Sequence, residues 1–264
     1  MTRSIARVLP ALLLAAAILA AWEAYVRVSG IRPQVLPPPS RVLTEGWAFR
    51  GLIWSHTLPT LGETAIGFTL AIVAGTAAAT GIDFSRAVRR ALYPALVASQ
   101  AIPVVAVAPL LVLWFGFGIA PKALVVALVT FFPITVGWVD GFATTERAAS
   151  NLLRSMGASR WQVFRLVRVP GALPSFFSGL RIAITYAVVG AIFAEYVGAK
   201  RGLGIFMQLQ QNSFRTDLVI AAVVVTAAIS VTLFLATSAL ERAVIPWHRA
   251  ARDERAARPH EPRP

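Results

Sequence analysis

The sequence predicts an all-α, polytopic membrane protein with six transmembrane helices, and three observations carry that reading. First, 57% of its 264 residues are hydrophobic and only 14% are charged, against about 25% charged in a typical soluble domain. Second, Ala91–Leu113, Ala123–Val139 and Leu218–Leu240 contain no Asp, Glu, Lys or Arg. An apolar run of roughly 20 residues, at about 1.5 Å per residue, spans a bilayer core. Third, Val8–Val28, Leu58–Thr80 and Phe176–Val197 are nearly as apolar, interrupted by Glu23 and Arg27, by Glu63, and by Arg181 and Glu195.

The elements follow in chain order. Residues 1–35 hold the N-terminal end and the first span. Arg3 and Arg7 before an Ala-rich run resemble a signal peptide, but Trp22 and Tyr25 lie at its far end like an interfacial aromatic belt, which predicts a retained helix. Pro33, Pro37, Pro38 and Pro39 then break the helix, and Ser40 is placed to cap the next one. Residues 36–57 form an external segment in which Arg41–Ser55 mixes Val42, Leu43, Trp47 and Phe49 with polar residues, the pattern of an amphipathic surface helix. Residues 58–241 form the core with the other five spans. Inner connections are expected around Asp83–Arg90 and over 144–170, outer ones at Gly116–Lys122 and Gly198–Asp217. The Arg-, Ala- and Pro-rich stretch 247–264 reads as a disordered cytoplasmic tail.

The formal net charge of +13 follows from topology rather than from a nucleic-acid surface. With both termini inside, the inner segments carry sixteen Lys and Arg and the outer segments eight, as the positive-inside rule requires. These arginines orient the chain and touch anionic lipid; no nucleic-acid partner is expected. Gly67, Ala71, Gly75 and Ala79 in the second span, and Gly179, Ala183, Ala187 and Ala191 in the fifth, recur every four residues. They predict close helix packing within the chain, with a subunit contact as the other reading.

Catalytic chemistry has no foundation here. There is no cysteine, no GxxxxGK[ST] loop, and His56, His248 and His260 fall outside the expected spans. No catalytic residue and no metal site is therefore assigned.

The informative segment is 144–170. Thr144 or Thr145 can cap a first short helix with Glu146 in its first turn, and Ser159 with Gln162 makes a capping box for a second. Gly157 suits the turn between them. A rigid helical hairpin is more than a connector needs, so it reads as a docking element. Its spacing resembles the cytoplasmic motif of ABC importer permeases, EAA, three residues, Gly, nine residues, I-x-L-P. Gly157, Val167, Val169 and Pro170 fall on that pattern, while Asn151-Leu152-Leu153 departs from EAA. Ala108-Pro-Leu-Leu-Val-Leu-Trp-Phe-Gly-Phe-Gly118, Phe132-Pro133, Gly202-Leu-Gly204 and Leu36-Pro-Pro-Pro-Ser40 are similar to the nitrate/sulfonate/taurine branch of these type I permeases. Val188-Val-Gly-Ala-Ile-Phe-Ala-Glu195 and Ile245-Pro-Trp-His248 are similar to its thiamine-pyrimidine-precursor and riboflavin members.

The resemblance implies a non-enzymatic permease subunit of a bacterial cytoplasmic-membrane importer. It also implies a second copy of the chain, two ATPase subunits and an external solute-binding protein. ATP-Mg would be bound by the ATPases, and this chain itself would hold no cofactor. The hairpin residues expected to meet the ATPase are Asn151, Arg154, Gly157, Ala158, Ser159, Arg160, Trp161 and Pro170. The polar or helix-breaking residues expected along the translocation pathway are Ser99, Gln100, Pro103, Thr130, Tyr186 and Glu195. The competing reading is an ion-coupled secondary transporter. Such proteins show inverted repeats and membrane-embedded ionisable groups. No repeat is visible here, and Arg181 and Glu195 lie near the ends of their span.

Overall fold

In lipid each backbone polar group must find its partner within the protein, and every regular element among the described residues is a helix. The computed structural model describes residues 2–247, with side chains for residues 9–104 and 106–247. The expected tail beyond Trp247, with His248, His260 and the arginines at 249, 252, 255, 258 and 263, lies outside the described residues. So do the side chains of Arg3 and Arg7.

The helices are α1 (Thr2–Ser29), α2 (Pro39–Ala48), α3 (Arg50–Phe84), α4 (Arg86–Ser99), α5 (Val104–Phe115), α6 (Ile119–Thr144), α7 (Arg147–Ser155), α8 (Arg160–Val163), α9 (Val169–Glu195), α10 (Leu203–Asn212) and α11 (Thr216–Val244). A π-helical turn, Phe164–Arg168, joins α8 to α9. Among the described residues five stretches are long and apolar enough to cross a membrane: Leu9–Ser29, Arg50–Phe84, Ile119–Thr144, Arg160–Glu195 and Thr216–Val244.

The third of the six expected spans is not one continuous helix. Ala91–Leu113 is two helices, α4 and α5 with 14 and 12 residues, interrupted over Gln100–Pro103. Pro103 has no N–H to give and its ring disfavours helical geometry in the residue before it, so α4 ends there and α5 starts afresh with Pro103 as its N-cap. Two further boundaries move. The surface helix expected over Arg41–Ser55 stops at Ala48, and its remainder opens α3. Ser40 does not cap α2; its N–H and hydroxyl both bond the Glu23 carboxylate, at 3.0 and 2.8 Å, which ties α2 to α1.

The core lies where α6 packs between α3 and α9, and both small-residue stripes face into it. A Cβ on Gly67 would strike the backbone of Ala123 and the side chain of Val126, and one on Gly179 would strike the Pro133 carbonyl. Gly137 and Gly179 lie with their backbones in contact, so α6 and α9 approach closely. The stripes thus serve packing within the chain. Around them Ile134, Trp138, Phe142, Phe176 and Leu180 fill the end nearer α7. Val42, Ile53, Leu203, Phe206 and Leu218 fill the opposite end, beneath α2 and α10.

Gly179→Ala should therefore lower the thermal midpoint in detergent, through an overpacking cost of about 1–3 kcal/mol. Gly62→Ala, whose Cβ would meet nothing within 4 Å, should not. Equal midpoints for the two variants would contradict this packing.

Candidate functional site

Two features of the bundle stand apart from plain packing: the hairpin between α6 and α9, and a cleft beside the same two helices. The hairpin is built by local chemistry. At the end of α7 the Ala158 N–H bonds the Leu153 carbonyl (2.9 Å) and the Gly157 N–H bonds the Arg154 carbonyl (3.0 Å), the Schellman arrangement, with Gly157 at φ +85°. Two residues later Ser159 and Gln162 form the expected capping box on α8. The turn leaves no slack between the helices. The start of α7 corrects the expectation: Glu146 is its N-cap residue and makes no side-chain cap. Thr144 and Thr145 instead bond the Gly141 carbonyl at the end of α6.

The hairpin is fastened to the bundle by its second limb. Phe164 is buried against Phe84 and Phe142. Arg168 pairs with Asp83 at 2.7 Å and donates to the Phe142 carbonyl. Arg160 donates to the Phe84 carbonyl at 3.1 Å and lies over the Phe84 ring. The chain widens into its π turn just before Pro170, which has no N–H to offer the Leu166 carbonyl. Pro170 is half-buried at the head of α9, a support rather than part of the outer face.

That outer face is solvent-exposed and made by α7 and the turn. No residue of α7 is buried. Met156 is 74% exposed and Trp161 58%, beside Asn151, Arg154 and Arg160. An apolar and cationic tip on a rigid mount can enter a complementary groove on another protein.

The expected pathway residues do not form one group. Gln100 and Tyr186 line a cleft of about 660 Å³ between α6 and α9, with Phe132, Pro133, Asp140 and Ser178 among its other walls. Ser99 lines a separate apolar groove beside Leu92 and Trp114 and bonds the Leu96 carbonyl. Pro103 is exposed at the head of α5. Thr130 is fully buried and bonds the Val126 carbonyl.

Glu195 is neither in the cleft nor snorkelling to an interface. It is fully buried, accepting from the Thr60 hydroxyl (2.6 Å) and the Gly204 N–H (2.5 Å). Nearby, Lys122 is not in an exposed loop but pairs with Glu63 at 2.6 Å. Arg181 is bonded to both Ser178 and Glu241.

The sequence reading missed Asp140, Ser175 and Ser178 as cleft residues and Lys122 as a buried cation. Asp140 was legible in principle. It stands seven residues from Pro133, two helical turns along one face.

Residues 67–247 match the family described as "Binding-protein-dependent transport system inner membrane component". This chain belongs to that family. The family member is 40% identical over 229 residues to the formylaminopyrimidine transport permease ThiX of Halalkalibacterium halodurans, covering 86% of this chain and 91% of that one. It is 39% identical over 228 residues to the riboflavin transport system permease RibX of Chloroflexus aurantiacus, covering 86% and 85%. The taurine transport permease TauC of Escherichia coli is 32% identical over 240 residues, covering 88% and 87%. Two solved ABC transporters share the fold. One, for an amino acid, matches at TM-score 0.59 and 17% identity over 75% of this chain and 95% of its own. The methionine transporter MetNI matches at 0.58 and 18% over 75% and 96%.

Within this permease the capping box can be tested alone. Ser159→Ala should cost the α8 turn about 0.5–2 kcal/mol, read as faster hydrogen exchange at the Gln162 and Val163 amides. Unchanged exchange there would mean that the box does not hold the hairpin.

Proposed function

We propose that this chain is the membrane-spanning subunit of an ATP-driven importer in a bacterial cytoplasmic membrane, both termini inside, and that α7, Gly157 and α8 dock into a cytoplasmic ATPase. The observation that carries the reading is the hairpin. A double-capped turn whose second limb is bolted to α3 and α6 transmits a push as a rigid body. Asn151, Arg154, Ala158, Ser159, Arg160 and Trp161 meet the ATPase, and Pro170 sets the angle at which α9 receives the motion. Two copies of the chain, two ATPases and an external binding protein complete the machine. Closure of the ATPases on ATP rocks the helices and switches the side to which the cleft opens.

The solute passes along the cleft. Among the described residues Asp140 is its one charged wall residue, and no Lys or Arg lines it. Arg181, which touches the cleft residue Ser178, is neutralised by Glu241. An anionic sulfonate finds no counter-charge in such a site, whereas a neutral or weakly basic flat heterocycle finds Tyr186 and Phe132 to stack on and Gln100, Asp140 and Ser178 to bond. The relatives named for a pyrimidine and for riboflavin are also more similar than the taurine permease. Ion coupling is disfavoured, because Glu63, Lys122 and Glu195 are enclosed and absent from the cleft wall.

Gly157→Val tests the docking. Its φ of +85° strains any side chain by about 1–2 kcal/mol, and the spans are remote. The variant should insert normally yet lose ATPase co-purification or solute uptake; normal uptake would place the docking element elsewhere. For the solute, titration calorimetry on the binding protein that works with this chain should find a heteroaromatic ligand. A taurine- or sulfonate-specific binding protein would sink the assignment.

A further inference from the structure

The hairpin has one limb bolted to the bundle and one that is not, and the space beside the looser limb is lined with arginine. A cavity of about 410 Å³ lies between α4, the end of α6, α7 and the π turn. Arg89 of α4, Arg147 and Arg154 of α7 and Arg168 of the π turn line it, with Ser150 and Asn151 among its polar walls. Among the described residues no acid lines it. A second cavity of about 240 Å³ shares Arg89 and Arg168 and adds Arg86, Arg160 and Asp83. Its one acid, Asp83, is already paired with Arg168. Arg89, Arg147 and Arg154 are exposed and, among the described residues, belong to no ion pair.

Like charge gathered this way calls for a counter-ion. A guanidinium cannot shed its proton, so four of them around one space repel one another at every pH the protein meets. The start of α7 adds to the demand. It has no acid in its first turn and no side-chain cap, and Arg147 stands where the helix dipole already presents positive charge. Glu146, the residue before it, is exposed and lines neither cavity. An anion held between Arg89 and Arg147 answers both the repulsion and the uncapped helix, and it joins α4 to α7.

We infer that this cavity binds a phosphate group, carried by an anionic phospholipid of the adjoining leaflet or free in solution, and that the bound phosphate ties α7 to α4. The forked donors of arginine match phosphate oxygens two at a time, which a lone ammonium does not. The cavity lies at the hairpin end of α6, where a basic pocket between membrane helices is at the depth of lipid headgroups. It also leaves room for the group esterified to the phosphate. No residue of α7 is buried, so this limb has no apolar anchor and the phosphate supplies an ionic one. The binding itself does not depend on the importer reading. Its consequence for transport does: a stiffened α7 passes the push of the ATPase to the bundle instead of yielding to it.

The test uses the full chain in nanodiscs, with and without the ATPase bound and with no nucleotide present. Hydrogen exchange at the amides of α7 should slow roughly tenfold when phosphatidylglycerol is added to phosphatidylcholine discs, or when inorganic phosphate is added at constant ionic strength. A response to phosphatidylglycerol alone identifies the lipid headgroup, and a response to inorganic phosphate identifies the free ion. Arg89→Gln lies on α4 and leaves α7 untouched, yet it should abolish the slowing. Arg165→Gln, which removes an exposed arginine that lines neither cavity, should keep it. No slowing by either probe, or equal loss in the two variants, would overturn the site. Slowing that needs the ATPase and neither source of phosphate would assign the cavity to carboxylates of that partner and overturn it as well. Wild-type slowing with no ATP-driven uptake would instead count against the importer reading alone.

Discussion

The backbone contact between α6 and α9 is the constraint on which the remaining geometry depends. Gly137 sits against Gly179 and Ser175, and Gly141 sits against Ala172, with no room for a Cβ at either glycine. In a bilayer there is no hydrophobic drive to press helices together, so dispersion at close range and shape must hold them. The chain leaves α6 at Thr144 and re-enters the membrane with α9 at Val169. The helices that define the cleft are thus the two that carry the hairpin. Their fixed spacing makes a displacement of α7 and α8 a displacement of the cleft wall. Flexible side chains at the crossing would absorb much of that motion.

Charge is sorted along the bundle according to whether it can be answered locally. At the α10 end Lys122 with Glu63, and Arg215 with Asp217 and Glu45, find partners inside the chain. Hydrogen bonding to Asp217, with help from Glu45, keeps the Arg215 guanidinium protonated still more firmly than usual. At the hairpin end Asp83 answers Arg168, while Arg147, Arg154 and Arg165 remain exposed. The buried charges named at the first end are answered within the chain. The second offers unanswered positive charge and exposed aromatic surface, which suits a partner that supplies the complement.

How much of this was legible in the sequence depends on the range of the forces involved. The spans could be read because lipid makes its demand residue by residue. The hairpin could be read because Gly157, Ser159 and Gln162 act within five residues of one another. The broken third span was not separable from a kinked one, since Pro103 and Pro109 both lie in the same apolar run and only Pro103 ends a helix. Thr60 and Glu195 lie 135 residues apart, and Glu63 and Lys122 lie 59 apart, so no local pattern pairs them. The pathway residues were mixed for a related reason. Polarity marked Gln100, Tyr186, Thr130 and Glu195 alike, but which of them faces the cleft is decided by how each helix is rotated against its neighbours.

The central claim is that this chain carries no energy source of its own and is moved through its hairpin by ATP hydrolysed elsewhere. Reconstitution in proteoliposomes measures that directly. The chain alone, under an imposed proton or sodium gradient, should accumulate no solute. Addition of the ATPase, the loaded binding protein and ATP-Mg should produce concentrative uptake that stops when ATP is exhausted. Ion-driven accumulation by the chain alone would contradict the account.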